Sequence, residues 1–183
     1  MGNEEGSKLK KINVRDWIIL STVMIGAVLT ILALIWSEPP SSGIVSTTLL
    51  LMLSFVFFVN SVTTNSKAHF EANLENFSEK RVKHFIIFAE YSFGFGFTLV
   101  ISAFAILGYQ YLLGEAGRRL IVLIIPAAFL ITAWIIILIY NIINYEGKVL
   151  NPLRSLKRNL WMFLELICLI LIFLDYFEVI SIP

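Results

Sequence analysis

Cysteine, histidine and charge are all scarce in this chain, and each scarcity closes off a class of function. Its single cysteine, Cys168, lies inside an apolar run, so no disulfide and no cysteine-based metal site can be built within one chain. The two histidines, His69 and His84, are spaced as no standard metal-ligand pair is. A glycine-rich phosphate loop, a His-Glu-x-x-His helix and a nucleophile elbow are all missing. No catalytic residue, metal ligand or cofactor is therefore expected. Charged residues make up 15% of the chain and the net charge is +1. With no basic face interleaved with aromatics, nothing recommends nucleic acid as a partner.

Apolar residues are what the chain has in excess. The hydrophobic set accounts for 58% of 183 residues and mean hydropathy is +0.84, whereas a soluble domain is about a quarter charged. These residues come in unbroken blocks instead of the one-sided stripe of a surface helix, which is the pattern of segments solvated by lipid. A span needs about 20 such residues to cross roughly 30 Å of hydrocarbon. Five blocks qualify, at about 17–36, 44–62, 85–108, 120–143 and 160–180. The sequence thus predicts an all-α fold, a polytopic integral membrane bundle of five transmembrane helices in one domain. Trp17 and Trp36 bracket the first block as interfacial indoles do, and Glu38-Pro39-Pro40 after it makes a poor signal-cleavage site, so the block is read as an anchor. Pro126 removes one backbone donor from the fourth.

Orientation follows from the basic residues, because short positively charged loops resist translocation. Twelve of the 14 Lys and Arg fall in three segments: Lys8, Lys10, Lys11 and Arg15; Lys67, Lys80, Arg81 and Lys83; Lys148, Arg154, Lys157 and Arg158. Arg118 and Arg119 alone fall on the opposite side. The expectation is a multi-pass protein of the cell membrane with its N-terminus cytoplasmic and its C-terminus outside.

The connection 63–84 has helical periodicity of its own. Phe70, Leu74 and Phe77 recur at i, i+4, i+7, and Glu71, Glu75 and Glu79 follow the same period. Residues 66–82 are predicted to be mainly helical, either on the membrane surface or as a hairpin extending the second and third spans. Such a cytoplasmic helical loop is a connector or a docking face for a cytoplasmic partner.

Ionisable groups inside a span are costly and mark candidate sites. Glu90 and Glu165 each lie about five residues, or roughly 7 to 8 Å, inside the cytoplasmic end of their spans. Asn60 and Asn141 end the second and fourth spans near the same depth. Facing inward, the four would form an ion or proton site, since oxygen ligands at a shared depth suit hard cations. The competing reading pairs Glu165 with Arg158, and Glu90 with Lys83 or His84, to seat the helices. On the third span Gly94, Thr98, Ser102, Ala105 and Gly108 form a small, polar strip for close helix packing, and Thr22, Gly26, Thr30 and Ala33 form a weaker one on the first. Phe93, Phe95 and Phe97 are read as lying on different faces without forming a stacking platform. Asp175, Tyr176 and Glu178 read as interfacial groups at the outer end.

Three function classes follow: a small cation or proton channel or transporter subunit using Glu90 and Glu165; a noncatalytic scaffold or complex subunit docking a partner through loop 63–84; and, last, an enzyme. Lipid is the solvent in each, and five short helices enclose so little interior that a homo-oligomer or membrane complex is expected.

Overall fold

The computed structural model describes the backbone of residues 2–37, 43–74, 78–144 and 162–183, with side chains from residue 14 onward except at 137, 138, 140–144 and 162. Among the described residues the fold is all-α, with five helices: α1 (Gly2–Ser37), α2 (Ile44–Glu71), α3 (Glu79–Ala116), α4 (Leu120–Asn144) and α5 (Met162–Tyr176). Three stretches, Val14–Ser37, Ile44–Glu71 and Glu79–Ala116, are long and apolar enough to cross a membrane. The described side chains of α4 include a shorter apolar stretch, Leu120–Ile136. Lys8, Lys10 and Lys11 have no described side chains, and Lys148, Arg154, Lys157 and Arg158 lie outside the described residues. The chain divides into two compact units, 1–34 with 52–97, and 35–51 with 98–183.

In the first unit, the buried side chains of α2 recur at alternating spacings of four and three: Ser54, Phe58, Ser61, Asn65 and Ala68. On the outward faces of α2 stand Val45, Leu49, Met52, Val56 and Val59. This pattern is that of a soluble helix turned inside out, with small and polar groups inward and large apolar ones outward, as expected where lipid is as apolar as the core. Two hydrogen bonds use the inward groups: Ser21 Oγ donates to Ser61 Oγ at 3.2 Å, and Asn60 Nδ2 to Ser92 Oγ at 2.6 Å. At Gly96 α3 approaches α2 closely, since a Cβ there would lie 3.0 Å from the Phe58 ring. Phe93 contacts Trp17 at 4.9 Å and Phe58 at 5.5 Å, and stacks on Phe97 at 6.2 Å. This corrects the separate-faces reading, because residues four apart on a helix lie nearly one above the other.

Residues 66–71 and 79–82 are helical as extensions of α2 and α3, the hairpin form of the expectation, with a turn after Glu71. Helix α2 runs to Glu71, Ala72 and Asn73 turn, and α3 begins at Glu79 after Ser78, whose carbonyl accepts from the Arg81 and Val82 amides. Asn73 ends the helix by donating its side-chain amide to the His69 carbonyl at 2.7 Å, the local bond through which Asn competes with helix propagation. Glu71 and Arg81, 3.8 Å apart, tie the two helix ends together. Glu75 and Phe77 lie outside the described residues.

The second unit is built on a parallel register between α3 and α5. Cys168 Sγ donates to the Ser102 carbonyl at 3.6 Å, and the Tyr109 hydroxyl to Asp175 Oδ2 at 2.7 Å, so the same offset of 66 residues holds over two turns. Helix α4 returns between them in sequence and packs on α5, with Val122 and Leu130 fully buried. Gly117, at φ +63°, ends α3 with its amide bonded to the Leu113 carbonyl, a left-handed cap that glycine accepts without strain. Helix α5 ends the same way without a glycine. Glu178 takes φ +62°, its amide bonds the Asp175 carbonyl and the Val179 amide bonds the Leu174 carbonyl, the paired bonds of a Schellman cap. That cap turns the chain back so that Ile182 becomes buried and its amide donates to Asp175 Oδ1 at 2.8 Å. At the same end the Ser46 amide donates to the Pro183 carbonyl and the Tyr176 hydroxyl to the Arg118 carbonyl.

Candidate functional site

Helix α5 buries Glu165, Cys168, Ile172 and Asp175, at spacings of three, four and three. That is one seam of a packed helix, and two of its four members are carboxylic acids. Each therefore raises the question of where its oxygens find partners.

Asp175, 8% exposed, is fully answered: one oxygen accepts from the Tyr109 hydroxyl and the other from the Ile182 amide. The sequence reading of Asp175 as an interfacial group at ease in water is thereby corrected. Its carboxylate fastens segment 179–183 to α3. Glu178 is the group that stays exposed, ion-paired with Arg118.

Glu165 is 0% exposed, and neither of its oxygens has a hydrogen-bond partner among the described residues. The Thr98 hydroxyl and the Trp134 indole N–H are the donors that approach it, but neither closes a hydrogen bond. Trp134 Nε1 and Ser102 Oγ are themselves buried and unpartnered. Four polar atoms of α3, α4 and α5 are thus buried in the second unit with no hydrogen-bond partner among the described residues. An unsatisfied buried polar group costs about 1 to 3 kcal/mol, and an isolated buried charge several times that. Packing does not explain their presence, since apolar side chains of the same size would fill the space at no such cost.

The other predicted site residues fare differently. Asn60 is half-buried and spends its amide on Ser92. Glu90 lies exposed on α3. Both belong to the first unit and Glu165 to the second. The side chain of Asn141 lies outside the described residues, as does Arg158. Of the α3 strip, Thr98, Ser102 and Ala105 are buried, while Gly94 and Gly108 are half-buried, and nothing lies within 4 Å of a Cβ placed on Gly108. The strip on α1 is exposed at Thr22, Gly26, Thr30 and Ala33, and the two threonines bond the carbonyls one turn back.

Sequence reasoning missed Trp134 as a neighbour of Glu165, although a signal was present. Trp17 and Trp36 sit at the ends of their block, where an indole N–H meets headgroups, whereas Trp134 sits in the interior of the fourth block. An indole at that depth needs a protein partner.

No family model matches this chain, and neither does any curated protein or solved structure. The assignment of function therefore rests on its own residues.

Proposed function

We propose that this chain is a five-span protein of the cell membrane, N-terminus cytoplasmic and C-terminus outside, serving as a small channel or transporter subunit. It passes a cation or a proton by way of Glu165. The observation that carries this reading is the fully buried carboxyl with both oxygens unpartnered among the described residues, approached by the Trp134 N–H and the Thr98 hydroxyl. Ionisable groups kept inside a membrane domain at such cost are the ones that ion and proton pathways use. Glu90, exposed on α3, is proposed as the second carboxylate of that pathway.

The parallel register of α3 and α5 supports an odd number of spans, because α4 must then run back between them. The bond from the Ser46 amide to the Pro183 carbonyl supports the same topology, since it joins the last residue to the start of α2, the end at which α1 finishes. A reporter fused after Pro183 is expected to be accessible from outside only. Accessibility from the cytoplasm alone would overturn the topology. For the activity itself, purified chain in lipid vesicles is expected to give a proton or monovalent-cation flux that Glu165→Gln abolishes. Equal flux from parent and variant would remove the assignment.

A scaffold function has one observation in its favour. Phe70 and Leu74, 66% and 44% exposed, project from the connection between α2 and α3, beyond the apolar block of α2. Phe70→Asp should then release a cytoplasmic protein partner while leaving flux unchanged. Homo-oligomerisation belongs to the same proposal and is read from the mass of the detergent-solubilised particle.

A further inference from the structure

Resting on the reading above, we propose that the species held at Glu165 is a proton and not a metal cation, the acid being flanked by one hydroxyl and one indole that serve a proton and obstruct a metal.

The first argument is the supply of oxygen. Hard cations take six to eight oxygen ligands, and even the smallest keeps an octahedron. Around Glu165 the described side chains offer its own two oxygens and the hydroxyl of Thr98. One turn along α3 from Thr98, the Ser102 carbonyl already accepts from Cys168 Sγ. No second carboxylate joins them, and no group of three or more His, Cys, Asp or Glu that could hold a metal ion occurs among the described residues.

Trp134 supplies the second argument. An indole Nε1–H donates only, so it offers no lone pair to a cation and turns the positive end of its N–H dipole toward the carboxyl. A metal ion would face that dipole without compensation, whereas the carbonyl oxygen of a loaded carboxylic acid is a fitting acceptor for the N–H that approaches it.

The hydroxyls complete the case, because Ser and Thr both donate and accept. Ser102 Oγ is uncommitted among the described residues, and Thr98 stands one turn before it on α3. Loading the site makes one O–H bond at a Glu165 oxygen and breaks one in hydronium, either directly or through a hydroxyl neighbour that takes up the hydronium proton as it gives its own to the carboxylate. Unloading reverses it, and no electron changes hands. The groups acting on Glu165 among the described residues are Thr98 from α3, Trp134 from α4 and Cys168 on its own helix, and none of them is a charged side chain.

Infrared spectroscopy of the full chain in neutral-lipid vesicles tests this. At neutral pH the parent should give a carboxylic-acid C=O band that Glu165→Gln removes. Adding sodium, potassium, magnesium or calcium at fixed pH should leave that band unchanged. Trp134→Phe, which keeps the carboxyl but removes its donor, should shift the band to higher frequency, giving a readout independent of how well Glu165→Gln folds. A parent spectrum without the band, or one in which a cation abolishes it, overturns the proposal. Vesicles that keep the band but carry no flux would defeat the transport reading and leave the proton assignment standing; flux with a cation-sensitive band would do the opposite.

Discussion

Asp175 and Glu165 occupy the same buried seam of α5, ten residues apart, and differ in what surrounds them. Asp175 has a donor on each oxygen; Glu165 has none among the described residues. The contrast teaches that burial of an acid does not by itself indicate function. A buried acid with every lone pair engaged is a structural fastener, whose removal orphans its donors. One with unengaged lone pairs adds nothing to stability that an apolar side chain would not add, so its use must lie elsewhere.

The sharpest way to break this comparison is to remove the fastener. Asp175→Ala leaves the Tyr109 hydroxyl and the Ile182 amide without their acceptor, and hydrogen bonds to charged groups contribute about 1.5 to 3 kcal/mol each. A loss of about 3 kcal/mol in reversible unfolding in micelles is expected, with segment 179–183 becoming sensitive to protease. Tyr109→Phe should reproduce about half of it, since one of the two donors stays. Loss of a few tenths would mean that these bonds are not formed in the membrane.

The same distinction between engaged and open positions separates two glycines of α3. Gly96→Leu drives a side chain into the Phe58 ring, and overpacking of this kind costs about 2 kcal/mol. Gly108→Ala meets nothing within 4 Å and should gain up to about 1 kcal/mol from helix propensity. Thermal unfolding of both variants checks the pair, and equal behaviour would contradict the packing described for the first unit.

These cases also mark how much the sequence disclosed. Apolar block length located the five helices, with α2 and α4 starting at the expected residues, because a desolvated backbone in lipid must close its own hydrogen bonds. Inward and outward faces were much harder to read. On α2 both faces are hydrophobic overall, and only the smaller, more polar residues at alternating spacings of four and three distinguish the seam. Residues 66–82 are mainly helical as extensions of α2 and α3, but the turn between them was not legible because a helical period says nothing of where a chain turns; the bond from Asn73 to the His69 carbonyl decided that. Likewise α5 stops at Tyr176 with no glycine to announce it, since Glu178 takes a glycine conformation so that Ile182 can reach Asp175. Glu165 stood out in sequence because a charge inside an apolar block is visible there. Its lack of partners among the described residues was not, because that depends on three helices meeting.

Smaller effects refine the outer end. Glu178→Gly relieves a left-handed conformation that costs an ordinary residue about 1 to 2 kcal/mol, so a gain of about 1 kcal/mol in unfolding free energy is expected. The ion pair lost with it is exposed on both sides, and Arg118→Ala should change stability by less than about 0.5 kcal/mol. A larger loss from Arg118→Ala would shift the fastening of this end from Asp175 to the surface pair.

The difference between the two acids is tested most directly by the unfolding free energy of Glu165→Leu, measured in the same micelles as Asp175→Ala. Leucine occupies a similar volume, needs no partner and removes the desolvation cost of the carboxyl, so the variant should be at least as stable as the parent and about 1 kcal/mol more so. A loss near the 3 kcal/mol expected of Asp175→Ala would show that Glu165 is a fastener too, and would contradict its reading as a site held for function.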